Sequence, residues 1–133
     1  MGSIQIGPCP VIKLTFCLTR LPGFTREAFQ DYWLNTHAPL VASVKAPLRI
    51  RRYVQMHSLP LEISADTRAS RGGPEGYDGV AELWWDSFED LAANADDPAA
   101  REAGRMLLED EKRFIDLSKS PLWWGEEREI IAG

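Results

Sequence analysis

The chain has 133 residues, 44% of them hydrophobic and 26% charged, with a formal net charge of −5. That length suffices for one domain to bury a core without metal or disulfide support, and the acidic balance argues against nucleic acid as the main partner. No apolar run approaches a membrane span and no charged start precedes an apolar signal core, so neither a membrane nor a secretory route is expected. Cys9 and Cys17 have no zinc or redox spacing, which makes a reduced, cytoplasmic setting the default.

Residues 1–10, with Gly2, Gly7, Pro8 and Pro10, read as a loose leader, and residues 11–133 as a single domain. Val11 to Thr19 alternates Ile12, Leu14, Phe16 and Leu18 against Lys13, Thr15, Cys17 and Thr19 and predicts a first strand. Leu21-Pro22-Gly23 breaks it, and Thr25 is placed to cap a helix from about Arg26 to Thr36. That helix continues, bent, towards Val44, because Pro39 removes a backbone donor and forces a kink or a change of helix type. Phe29, Trp33, Thr36, His37, Leu40 and Val44 fall on one stripe at helical spacing. A histidine among them must be desolvated and then given a partner. Two readings stand: a satisfied core histidine, or a general acid/base in a pocket.

Leu48 to His57 predicts a second strand, with Ile50, Arg52, Val54 and Met56 on one face and Arg49, Arg51, Tyr53, Gln55 and His57 on the other. The second set suits solvent or the wall of a polar pocket. Residues 58–77 are longer than a hairpin needs and rich in Gly and Pro, so they read as a flexible excursion or lid. Tyr77 to Asp86 predicts a third strand and Phe88 to Ala95 a short helix. Asp97-Pro98 restarts a long helix to about Leu117, with Ala103, Met106, Leu107, Phe114 and Leu117 on its apolar stripe. Asp110 falls inside that stripe, either reaching water at its edge or holding a buried partner; Glu109, Glu111, Lys112 and Arg113 fall on or beside the wet face. Trp123 to Ile131 predicts the last strand.

The adjacent pairs Trp84-Trp85 and Trp123-Trp124 put a large ring on each face of a strand. The order is β-α-β-β-α-β, an α+β, ferredoxin-like arrangement with an antiparallel four-stranded sheet. A sheet with helices on one side and apolar groups on both predicts a homodimer through the open face.

KLTFCLTR, PGFTREAFQDYWLNTHAPLV, IRRYVQMHSL, GVAELWWDSFEDL and EDEKRFID together resemble the EthD domain family of the dimeric α+β-barrel superfamily, over Lys13 to Ile131. The resemblance implies protomers paired sheet to sheet and a pocket in each between sheet and helices. It also implies activities such as decarboxylation or dehydration of aromatic polyketide precursors, or cofactor-free isomerisation of a lactone. In lactone isomerases of this kind a histidine closing the first helix and a tyrosine on the second strand belong to the catalytic pocket; the matching residues are His37 and Tyr53. Their strand-three cysteine is matched by Leu83, which weighs against a thiol-dependent route.

The resulting expectation is a cofactor-independent lyase or isomerase for an aromatic, polyketide-type or lactone substrate. His37 would move the proton, Asp110 would orient its ring and favour the imidazolium, and Tyr53 would hydrogen-bond a developing oxyanion. Phe29, Trp33 and Trp85 are candidate pocket walls and Glu82 a second candidate acid. Metal is not expected, since His37 and His57 lack partners at ligand spacing. The alternatives are a small-molecule binding or pathway accessory protein, and a monooxygenase of the same superfamily.

Overall fold

The computed structural model describes residues 11–133, so the expected leader lies outside the described residues. One antiparallel sheet of four strands has the order β2-β3-β1-β4, built from β1 (Ile12–Leu18), β2 (Arg52–His57), β3 (Gly79–Trp85) and β4 (Leu122–Glu126). Between β1 and β2 the chain runs through α1 (Arg26–Tyr32), a π-helical turn (Trp33–His37), α2 (Ala38–Ser43) and α3 (Lys45–Leu48). A further helix, α4 (Glu62–Ala69), follows β2, and α5 (Phe88–Ala93) and α6 (Pro98–Glu111) lie between β3 and β4. The βαββαβ order is that of the ferredoxin-like fold.

Strand register decides which side chains meet. Leu14 lies opposite Leu83 on β3 and Trp124 on β4, and Tyr53 lies opposite Leu83. Because directly paired residues share a face, these point towards the helices, as do Phe16, Leu18, Ala81 and Trp85 two residues along. A core of Phe16, Leu18, Phe29, Trp33, Ala81, Phe114 and Ile115 fills the space between sheet and helices.

The other face carries Lys13, Glu82, Trp84, Arg52, Met56 and Trp123. The tryptophan pairs do split across the sheet, but Trp84 is already covered within the chain. Lys13 and Arg52 lie over its ring at 4.9 and 4.5 Å, and its indole N–H donates to Glu127. Met56 and Trp123 are left exposed.

Three local expectations are corrected. The second strand begins at Arg52, not Leu48, because Lys45–Leu48 coils into a helical turn that Arg49 closes in the left-handed conformation at φ 60°. Within residues 58–77 lies α4, which buries none of its residues and rests on local helix formers such as Glu62, Ala65 and Ala69. The long helix ends at Glu111 rather than Leu117, with Lys112 as its cap. The last strand ends at Glu126, leaving Ile130 and Ile131 exposed.

Gly79 opens β3 directly under the Trp33 indole. A Cβ there would overlap the ring and lie 2.9 Å from the Met56 carbonyl oxygen, and neither backbone nor a fully packed tryptophan yields cheaply. Gly79→Ala is therefore expected to lower stability by about 1–3 kcal/mol in urea unfolding; an unchanged midpoint would show that Trp33 is loosely held.

Candidate active site

Pro39 sets the local geometry of the first helix. It has no N–H to offer the carbonyl of Asn35, and its ring crowds that carbonyl in a regular helix. The chain widens instead: Ala38 N–H donates to the Trp33 carbonyl, five residues back, which defines the π turn Trp33–His37. Gln55 Nε2 supplies a second donor to the same carbonyl at 3.0 Å. The extra residue in the turn leaves Thr36, predicted on the apolar stripe, exposed, and makes Val41 the next buried position after His37.

His37, 5% exposed, hydrogen-bonds through Nδ1 to Asp110 Oδ2 at 2.7 Å, and Tyr32 Oη donates to Asp110 Oδ1 at 2.7 Å. Asp110 is buried near the end of α6, which selects the buried-partner reading of this acid. Burial alone pushes its carboxyl up, but the hydrogen bonds from Tyr32 and His37, together with the Arg113 charge, win and hold it below its ordinary value. An ionised Asp110 only accepts, so Nδ1 carries the ring proton and Nε2 holds the lone pair. Every fully buried side-chain N or O among the described residues has a hydrogen-bond partner. Nε2 has none there, so it is open to the space beside it.

That space is a cavity of about 250 Å³ between sheet and helices. His37, Trp33, Tyr53 and Trp85 line it, with Leu14, Leu83 and Leu107 among its apolar walls. Tyr53 accepts a hydrogen bond from Gln55 Nε2 at 2.7 Å, which leaves its own proton free to donate. Burial pushes its phenol up to about 12, so the hydroxyl stays protonated through the physiological range.

The sequence-predicted set divides clearly. His37, Tyr53, Trp33 and Trp85 meet at the cavity, and Asp110 stands behind His37 rather than in the lining. Phe29 is a correction: it is fully buried behind Trp33, packed against that ring and Phe114, and does not itself line the cavity. Glu82 is another, because strand alternation turns it to the opposite face, where it pairs with Lys13. Asp110 does favour the imidazolium, as expected, but it is outweighed. Burial pushes His37 below its ordinary 6.5, and the Asp110 hydrogen bond and charge only partly offset that, so the resting ring is neutral. The polar face of β2 is the pocket-side one, for Tyr53, Gln55 and His57 all point to the helices, His57 stacking on Trp33 at 4.6 Å.

Two residues escaped the sequence reading. Tyr32 is the second anchor of Asp110. Glu111, assigned to the wet face, instead lines the cavity; its spacing of four from cavity-lining Leu107 on the same helix was the available signal. Burial and then the neighbouring Asp110 charge push its carboxyl up to about 7.

These two shifts oppose each other in folding. His37, depressed below 6.5 in the fold, contributes stability that is present above 6.5 and lost as pH falls through its folded value. Glu111, raised from 4.5 to about 7, contributes stability that is full below 4.5 and lost as pH rises through 7. Glu111→Gln removes the second effect, so its stability relative to wild type is expected to climb by about 1–3 kcal/mol from pH 4.5 to 8. Denaturant titrations across that range measure this; a constant difference would mean Glu111 is ordinarily solvated.

The EthD domain family model matches residues 21–118. The conidial pigment biosynthesis dehydratase EthD of Metarhizium robertsii is 28% identical over 134 residues, covering 97% of this chain and 91% of the relative. A decarboxylase of Claviceps purpurea is 24% identical over 123 residues, covering 89% and 84%. Among solved structures, an EthD-family protein from Bacillus halodurans superposes with a TM-score of 0.57 at 21% identity, covering 89% of this chain and 99% of that one. With the family model spanning most of the described domain, and the fold and helix-one histidine as that likeness implied, the chain belongs to the EthD domain family.

Proposed function

We propose that this protein is a cofactor-independent lyase or isomerase that moves a proton on a small, partly aromatic, oxygenated substrate. The observation that carries the reading is the line Asp110–His37–cavity. An ionised acid fixes Nδ1–H, and the neutral Nε2 lone pair opens into a largely apolar space. A neutral imidazole held in one tautomer is a general base. Tyr53, protonated and with its hydroxyl hydrogen unspent, is placed to donate to the oxygen on which negative charge develops. Trp33, Trp85 and the leucines exclude water, which strengthens both effects. The names of the Metarhizium and Claviceps relatives, a dehydratase and a decarboxylase, support lyase chemistry of this kind.

Deuterium uptake from D2O at the carbon next to the carbonyl of 1-tetralone tests the proton-transfer core without requiring a leaving group. Wild type is expected to accelerate exchange. His37→Gln lowers the rate by about 10²–10⁴-fold, as loss of a general base does, and Tyr53→Phe by about 10²-fold or more. Asp110→Asn keeps the shape but offers the ring an amide N–H, flipping His37 to the wrong tautomer, with a comparable loss. Binding of 1-tetralone with no exchange in folded wild type would favour the binding-protein alternative instead.

The assembly belongs to the same reading. The open face leaves Met56 and Trp123 exposed, and solved structures of similar fold from Bacteroides fragilis and Thermobifida fusca are described as dimeric ferredoxin-like proteins of unknown function. We expect a homodimer through that face, and Trp123→Glu is expected to shift the mass in light scattering from dimer towards monomer. A monomeric wild type at micromolar concentration refutes the arrangement.

A further inference from the structure

We infer that Glu111 is the second proton-transfer group of this cavity, and that it fits the site to an uncharged β-hydroxy carbonyl substrate from which it expels water. The inference rests on the general-base reading of His37 above and extends it to the leaving group.

Glu111 is half-buried in the cavity wall, and no described residue hydrogen-bonds its carboxyl. By the accounting applied to Nε2, its oxygens are not sealed in the protein interior, and the residue lines the cavity. An unpartnered carboxyl in an apolar space is most stable as the neutral acid, which is a proton donor. The charged and titratable groups around it are Asp110, its neighbour on α6, Tyr53 from β2 and His37 from the π turn. Asp110 raises it, and its own charge in turn raises the Tyr53 phenol.

The second observation is what the wall lacks. Among the described residues lining the cavity there is no lysine or arginine. A carboxylate substrate would be desolvated beside Glu111 with no fixed cation to balance it, a heavy cost. A neutral hydroxyketone meets no such penalty. Of the two lyase chemistries borne by the relatives' names, the wall therefore favours loss of water over loss of carbon dioxide.

The step balances without a co-reactant. His37 Nε2 takes the proton from the carbon next to the carbonyl, and the C–H electron pair forms an enolate whose oxygen Tyr53 holds by a hydrogen bond. The enolate collapses, the C–O bond at the β carbon breaks, and Glu111 gives its proton to the departing oxygen. Water leaves, an unsaturated ketone remains, and His37 returns its proton to Glu111 through a water molecule.

Two probes, both able to yield fluorescent 1-naphthol, decide it. 3-Hydroxy-1-tetralone gives 1-naphthol by losing water, and 1-hydroxy-2-naphthoate gives it by losing carbon dioxide. Wild type is expected to release 1-naphthol from the first faster than from the second. The naphthoate should also inhibit deuterium exchange into 1-tetralone at least ten-fold more weakly than 1-naphthol does at pH 8. Glu111→Gln should cut dehydration by 100-fold or more while lowering exchange far less, and Glu111→Asp should recover part of the dehydration. No naphthol from the hydroxyketone, equal inhibition by the naphthoate, or equal loss of exchange and dehydration in Glu111→Gln each overturns the inference. Failure of the His37 reading shows differently, as wild-type exchange that survives His37→Gln.

Discussion

A buried carboxylate with a hydrogen bond on each oxygen is the constraint on which the site depends. Asp110 sits between Tyr32 and His37 at 2.7 Å from each, and an ionised acid in that position is tolerable only while both donors stay aimed at it. The two donors are five residues apart in sequence. On a regular helix, positions five apart point about 140° away from each other. A turn that closes over five residues carries them round towards the same side, so the π turn and the shared acid require one another. Pro39 supplies the local reason for that turn, and Asp110 supplies its tertiary reward. Through this single group the end of α1, the end of the π turn and the end of α6 are fixed relative to one another.

The same helix end shows how environment, not residue type, assigns chemical roles. Asp110 and Glu111 are consecutive acids. One turns back between the helices, gains two donors and is held ionised; the other turns into an apolar cavity, finds no donor there and is pushed up to about 7. Each helps define the other, since the fixed charge of Asp110 is one reason Glu111 holds its proton. The neighbouring His37 is a base held neutral by burial despite an ionised partner. The pocket thus pairs a base whose burial favours the unprotonated form with an acid whose burial favours the protonated one, the combination that concerted proton removal and delivery needs.

Much of this was legible in the sequence because it is periodic. The alternation of β1, the tryptophan pairs that divide across the sheet, and the stripe that carries His37 are properties of a repeat, and a repeat survives without coordinates. Asp110 was visible for the same reason, as an acid interrupting an apolar stripe. What did not survive is what depends on a one-residue phase. After the π turn the buried position is Val41 rather than Leu40; the alternation of β3 sends Glu82 to the far face; and Glu111 lies just where the stripe of α6 meets the wet side. A charged residue at a stripe's edge is read as solvated because most are, and only the packing of helices over the sheet reveals a cavity there. Phe29 failed in the opposite sense: it lies on the right stripe, one turn before the cavity begins.

The composition of the wall then narrows what the framework can do. In lactone isomerases resembling this family a strand-three thiol takes part in the chemistry, whereas here Leu83 occupies the matching position and lines the cavity. The free Cys17 cannot substitute for it, because strand alternation points it at the opposite face from Phe16 and Leu18, and burial raises its thiol further from the reactive thiolate. Without a thiol, a lysine or an arginine in the described wall, the groups left to act are the imidazole of His37, the phenol of Tyr53 and the carboxyl of Glu111. Each can accept, hold or donate a proton, and none offers the fixed positive charge that would hold an anionic carboxylate. A fold shared by several reactions is restricted in this way by three side chains and by the two kinds that are missing.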